Sequence, residues 1–101
     1  MIPTEFNFVI DFRSPAHDTV PVAVRFSKVV QMPYKVVAGE AIYFACGVDE
    51  EAYDFTVDSV SFDINNAQLL VFLTNIEEYS DAHTQSIVCE DLKQAGWKSL
   101  D

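Results

Sequence analysis

Hydrophobic and polar residues alternate from the start of the chain. Phe6, Phe8, Ile10 and Phe12 take every second position, with Asn7, Val9, Asp11 and Arg13 between them. A period of two puts four large side chains on one face of a strand, where they supply much of a core. Residues 14–19 read as a loop, and Pro15 and Pro21 are unsuited to a ladder interior. A second strand follows, with Val20, Val22, Val24 and Phe26 on one face. Its alternation falters at Lys28, which predicts a bulge or bend near residues 28–30. Met32-Pro33-Tyr34 ends it, because Pro lacks a donor and pushes the residue before it away from the helical region.

Lys35-Val36-Val37 is expected to form a short edge segment before a turn at Ala38-Gly39. Ile42, Phe44 and Cys46 then alternate with Ala41, Tyr43 and Ala45. Phe55 and Val57 open the next strand, whose inward register switches to Val60, Phe62 and Ile64 and so predicts a bulge around Asp58-Ser59. Asn65-Asn66 is expected to make the hairpin turn, since Asn tolerates positive φ. Leu69 to Leu73 is apolar at every position, which predicts a central strand covered on both faces.

From residue 80 or 81 the period changes. Val88, Leu92 and Ala95 form an i, i+4, i+7 stripe with Glu90, Lys93 and Gln94 opposite. The spacing predicts a helix over roughly residues 81–95, with Ser80 or Asp81 as N-cap and Gly96 just past its end. Lys93 and Lys98 suit the negative end of its dipole, and Trp97 should tuck beneath its exit. The expected architecture is a single α+β domain over residues 1–101. It has a mainly antiparallel sheet of about five strands, with one C-terminal amphipathic helix packed on it. A strongly curved or half-barrel sheet is the alternative geometry.

Composition narrows the function classes. The 101 residues hold 16 Asp and Glu against 6 Lys and Arg, a formal net charge of −10, and half of them are hydrophobic. That apolar fraction excludes a disordered acidic tail. The excess of acid argues against direct nucleic-acid binding, which needs clustered Lys and Arg. No apolar run approaches the ~20 residues of a membrane-spanning helix, and no membrane association is expected. The first residues carry neither a basic nor an apolar signal segment, so the expected location is the cytoplasm. The charge is also unevenly spread. Residues 1–48 hold four acids and four bases, which cancel, whereas from Val36 to Leu92 there are twelve carboxylates and no Lys or Arg.

Motifs for catalysis are sparse. Gly39, Gly47 and Gly96 are isolated, so no phosphate loop is present. Cys89 and His83 are six residues apart, about 240° round a helix, and do not share a face. Cys46 with His17 is not excluded by spacing, but no signature supports it. Both thiols sit at apolar-periodic positions and are expected to be buried; a Cys46–Cys89 disulfide would require an export route. Asp49, Glu50, Glu51 and Asp54 lack the Asp-x-Asp-x-Asp-Gly calcium loop. No metal and no cofactor are expected.

Two similar acidic-aromatic segments remain, Glu50-Glu51-Ala52-Tyr53-Asp54 and Glu77-Glu78-Tyr79-Ser80-Asp81. If the last three strands form a meander, both segments are loops at the same end of the sheet. Asp49, Glu50, Glu51, Tyr53, Asp54, Glu77, Glu78, Tyr79 and Asp81 are therefore the candidate partner-binding residues. Tyrosine is enriched in binding hot spots, and charge of one sign accelerates encounter with an oppositely charged partner. The bland alternative is that both tyrosines pack on the sheet while the acids are solvated. The expected function is a small inhibitor, not an enzyme, that docks a basic surface of a partner protein such as a toxin or a nucleic-acid-binding effector. Immunity proteins, phage anti-defence proteins and nucleic-acid mimics are of this type. The alternative is a structural or assembly subunit of a phage particle or larger complex, with a small enzyme third. The expected oligomeric state is monomer or homodimer.

Overall fold

The computed structural model describes residues 1–13, 22–45, 52–79 and 82–100. Along these residues run β1 (Ile2–Arg13), β2 (Val22–Met32), β3 (Ala41–Ala45), β4 (Ala52–Asp63), β5 (Gln68–Leu73), β6 (Ile76–Tyr79), α1 (Ala82–Gln94) and β7 (Lys98–Ser99). The fold is α+β, as expected, but the sheet has seven strands among the described residues rather than about five. It is open and mixed: the order is β3-β4-β5-β1-β2-β7, with β6 also paired to β1. Most pairings are antiparallel; β5 and β6 run parallel to β1, one after the other along the same edge. Asn7 faces Phe72, 65 residues on, whereas Ile10 faces Ile76, 66 residues on, so one extra residue is inserted where β5 passes into β6.

The alternation in β1 has the expected consequence. Phe6, Phe8, Ile10 and Phe12 are all buried on one face, beside Phe26 of β2 and Leu69, Val71 and Leu73 of β5. Two elements cover that inner face. One is α1, which contributes the fully buried Leu92 and the partly buried Val88 and Cys89. The other is the ribbon of β3 and the first half of β4, which leaves the sheet plane at a register shift between Val57 and Ser59 and folds over β1. The bulge expected around Asp58-Ser59 is therefore the hinge of this ribbon. Ring contacts mark the closure: Phe44 lies 5.1 Å from Phe6 and Phe55 lies 4.8 Å from Phe8. Trp97 stands edge-on to Phe8 at 4.7 Å and to Phe44 at 5.1 Å.

The helix ends as its sequence requires. Gly96 adopts φ +96°, Trp97 N donates to Leu92 O at 3.0 Å and Gly96 N donates to Lys93 O at 3.1 Å. These are the two bonds of a Schellman cap, with buried Trp97 and Leu92 as its apolar pair. Lys28 completes the cap: its Nζ donates to Ala95 O at 2.7 Å. This corrects the bulge expected at residues 28–30. β2 pairs with β1 without a slip from Phe12–Val22 to Ile2–Met32, and Lys28 lies on the inner face because it serves the helix end.

Four other expectations are revised. Residues 35–37 form no strand; Val36 is instead a fully buried plug in the core. At the β4–β5 turn the positive φ belongs to Ala67, at 51°. Asn65 and Asn66 act through Asp63, whose Oδ1 accepts from Asn65 N at 3.1 Å while its Oδ2 accepts from Asn66 Nδ2 at 2.8 Å. Phe62 takes the expected inner face, opposite the buried Leu69, yet is 61 % exposed because the covering layer ends before it, and Ile64 lies exposed beyond the end of β4. β5 is central but covered on one face alone, and Phe72 on the other is 43 % exposed.

Removing a ring from the centre of the core should cost far more than removing one beyond the covering layer. Phe8→Ala is expected to lower unfolding stability by about 3–5 kcal/mol. Phe62→Ala should lower it by about 1 kcal/mol or less. Urea unfolding of the two variants measures both.

Candidate functional site

β4 runs antiparallel between β3 and β5, so β3, β4 and β5 form the expected meander. The described residues of the two acidic-aromatic segments, 52–54 and 77–79, lie where β5 runs out, since Thr74 N donates to Thr56 O and the earlier residues of β4 extend past that point. These residues are strand, not loop. Tyr53 and Asp54 belong to β4, and Glu77, Glu78 and Tyr79 belong to β6, paired in parallel with Asp11, Phe12 and Arg13. The two strands then part: β6 stays on β1 while the first half of β4 turns away with β3. Asp49, Glu50, Glu51 and Asp81 lie outside the described residues.

The candidate side chains divide by phase along each strand. Tyr53 shares the parity of Phe55 and Val57, so it faces the core; it is half-buried with its ring 6.2 Å from Phe55. Asp54 and Glu77 are exposed. Tyr43 of β3 is 67 % exposed and lies directly opposite Asp54 in the register. Opposed residues on one face of an antiparallel pair have Cβ atoms about 4.5–5.5 Å apart. The surface pair is thus Tyr43 with Asp54, in place of Tyr53. Its signal was present in the sequence: Tyr43 alternates with the inward Ile42 and Phe44, while Tyr53 is in step with Phe55. Close by, Tyr34 Oη donates to Glu40 Oε2 at 2.6 Å, and this bond to the carboxylate pushes the tyrosine pKa up.

Charge is segregated across the sheet. β3, β4, β5 and β6 contain no Lys or Arg and carry Asp54, Asp58, Asp63, Glu77 and Glu78. Arg25 and Lys28 are on β2, Lys98 is on β7 and Lys93 is at the end of α1. In strand order, the acid lies on one side of β1 and the base on the other.

No protein-family model matches the chain, and neither a curated protein nor a solved structure does. The chemistry is read from the geometry alone.

Grooves flank the sheet among the described residues, two of them beside the groups considered above. One of about 300 Å³ crosses the uncovered face between Arg25 and Leu100 on one side and Asp58 and Phe72 on the other, with Asn7 and Val9 between. The second, between α1 and the β1–β2 pair, is lined by Phe12, Val24, Gln85, Cys89, Glu90 and Lys93. Positions 83 and 89 lie on the one helix, about 240° apart round its axis. Among the described residues no three His, Cys, Asp or Glu side chains gather to hold a metal. No helix among them is long and apolar enough to cross a membrane.

Cys89 is a free, half-buried thiol. Burial pushes its pKa up; Lys93 opposes this, and Glu90 adds to it. The neutral thiol is therefore the form the fold prefers. Its contribution to stability is complete below the unfolded thiol's pKa and is lost as pH rises through the folded value. Alkylation of Cys89 by iodoacetamide in the native protein should have a pH midpoint above that of the unfolded chain, read by peptide mass spectrometry across a pH series. A midpoint at or below the unfolded value would contradict the assigned environment.

Proposed function

We propose that the chain is a small acidic binding protein, and not an enzyme, that inhibits a partner by docking on its basic surface. Immunity proteins against nuclease toxins and phage anti-defence proteins work in this manner. Carboxylates that occupy a groove shaped for phosphates, a nucleic-acid mimic, are the sharper form of the same reading. The proposed place of action is the cytoplasm. The observation that carries the proposal is the segregation of charge: the β3–β6 side of the sheet has five acids in its strands and no base. A field of one sign steers a cationic partner toward that side and repels an anionic one. Tyr43 adds a rigid amphipathic ring to the same surface, next to Asp54.

The Asp11 position is the one on β1 that faces Glu77, so two carboxylate positions sit side by side there. Both positions add acid to the same side of the sheet, which strengthens the field there. The second reading, a structural or assembly subunit, is favoured by the outer edge of β3, which no strand among the described residues pairs.

A variant with Glu50, Glu51, Glu77 and Glu78 replaced by Gln keeps the side-chain volumes and removes four charges. Pull-down from lysate should retain a basic protein on the wild type at about 50 mM salt and release it near 500 mM, since screening shortens the Debye length severalfold. The Gln variant should fail to retain that protein at either salt concentration. Equal capture by wild type and variant would overturn the acidic-surface reading.

A further inference from the structure

We infer that the outer edge of β3 is a strand-addition site, taking an extended segment of the basic partner in which Lys or Arg alternates with apolar residues; this rests on the proposed function above. β3 pairs with β4 on one side, and no strand among the described residues pairs with its other side. The hydrogen bonding shows which groups face outward. Glu40 O accepts from Val57 N, whereas the backbone of Thr56 turns the other way, its N donating to Thr74 Oγ1 and its O accepting from Thr74 N. Ala41, opposite Thr56, therefore belongs to a pair without mutual hydrogen bonds. Bonded and non-bonded pairs alternate along an antiparallel ladder. The backbone N–H and C=O of Ala41, Tyr43 and Ala45 thus point away from β4.

Such an edge is normally blunted by Lys, Pro, brevity or a bulge. The other margin of the sheet follows that rule, ending in the two-residue β7. β3 does not: Ala-Ile-Tyr-Phe-Ala has neither a charge nor a proline over five residues.

Charge and pleat together specify the occupant. Residues of an added strand opposite Ala41, Tyr43 and Ala45 project onto the outer face, where Tyr43 stands exposed with Asp54 behind it. A cation there can lie over the Tyr43 ring. It can also reach toward Asp54 across the shallow floor left by Ala41, a span of roughly 10 Å for two strand spacings. Glu40 precedes the edge and Asp54 lies on the strand behind it, so an acidic segment would be repelled. Residues of the added strand opposite Ile42 and Phe44 project to the inner side, where apolar groups continue the existing layer. Basic and apolar residues in alternation satisfy both faces. Main-chain bonds supply affinity in this mode of recognition and alternate side chains supply selectivity.

The test uses the full chain and capped synthetic peptides: Thr-Lys-Val-Arg-Val-Lys-Thr, the same peptide with Glu at its three basic positions, and the basic peptide N-methylated at alternate residues. Binding is followed by amide NMR. The expected result is saturable binding of the basic peptide, with shifts and slowed hydrogen exchange centred on Ala41, Tyr43 and Ala45. The N-methylated peptide should bind at least about tenfold more weakly, because it lacks the donors. Tyr43→Pro removes the Tyr43 ring together with an N–H that points away from β4, so it should weaken binding at least as much while preserving the fold; should that variant fail to fold, the N-methylated peptide decides alone.

Each other result overturns the inference in a distinct way. Basic-peptide shifts centred elsewhere, or no binding by any peptide, would reject the β3 edge and leave the acidic-surface reading to its own pull-down. Equal binding of the Glu peptide at β3 would keep the edge but reject the basic occupant. Shifts at Ala41, Tyr43 and Ala45 that depend on protein concentration without peptide would assign the edge to a second copy. Full protection of those three amides in the free monomer would show the edge already occupied.

Discussion

The rings around Phe8 join the parts of the molecule that neighbouring-strand pairing alone does not. Phe26 stacks on Phe8 from the adjacent strand, Phe55 reaches it from the folded-over ribbon and Trp97 meets it from the chain beyond the helix. Edge-to-face and offset aromatic pairs each add about 0.5–1.5 kcal/mol beyond the area they bury. Their geometry also fixes where the ribbon lies. Because Phe44 is held between Phe6 and Trp97, β3 cannot slide along β1 without breaking two ring contacts. Its pleat is thereby set: Ile42 and Phe44 inward, Tyr43 outward. The surface discussed above follows from the core rather than from any property of the surface itself.

Polarity across the sheet follows from the same construction. β3 to β6 are the base-free strands, and they lie together on one side of β1 because the meander β3–β4–β5 returns to pair with it in parallel. The basic residues are drawn to the opposite margin, where Lys28 has a structural task at the end of α1. A charge difference that looks like a property of two halves of a sequence thus becomes a difference between two sides of one sheet. Tyr43 sits on the acidic side at an edge that no strand among the described residues pairs, which is the combination of a directional scaffold and a steering field that binding proteins exploit.

Local patterns made much of the fold legible. The alternation in β1, the register change at Asp58-Ser59 and the glycine-terminated helix each depend on neighbouring residues, and each appears where the chain predicts it. What was hidden depends on distant partners. Lys28 breaks a hydrophobic pattern for the sake of a carbonyl 67 residues away. β6 carries Glu77 and Glu78, typical of a turn, and becomes a strand because β1 offers it a parallel edge. Phe72 is apolar on the face that the covering ribbon leaves open, and Phe62 and Ile64 lie past the end of the ribbon; alternation reveals the two faces of a strand without revealing which is covered or how far. The candidate site suffered from the opposite fault. Adjacency to acid favoured Tyr53, although its phase with Phe55 already turned it inward and the phase of Tyr43 turned it outward.

Docking of a basic protein on the β3–β6 side is the central proposal. Hydrogen exchange of every backbone amide, compared between the free chain and its complex with the basic protein it retains, tests that location most directly. Added protection should appear in β3, β4 and β6, with β2 and β7 unchanged. Protection confined to β2, β7 or the uncovered face of the sheet would contradict it.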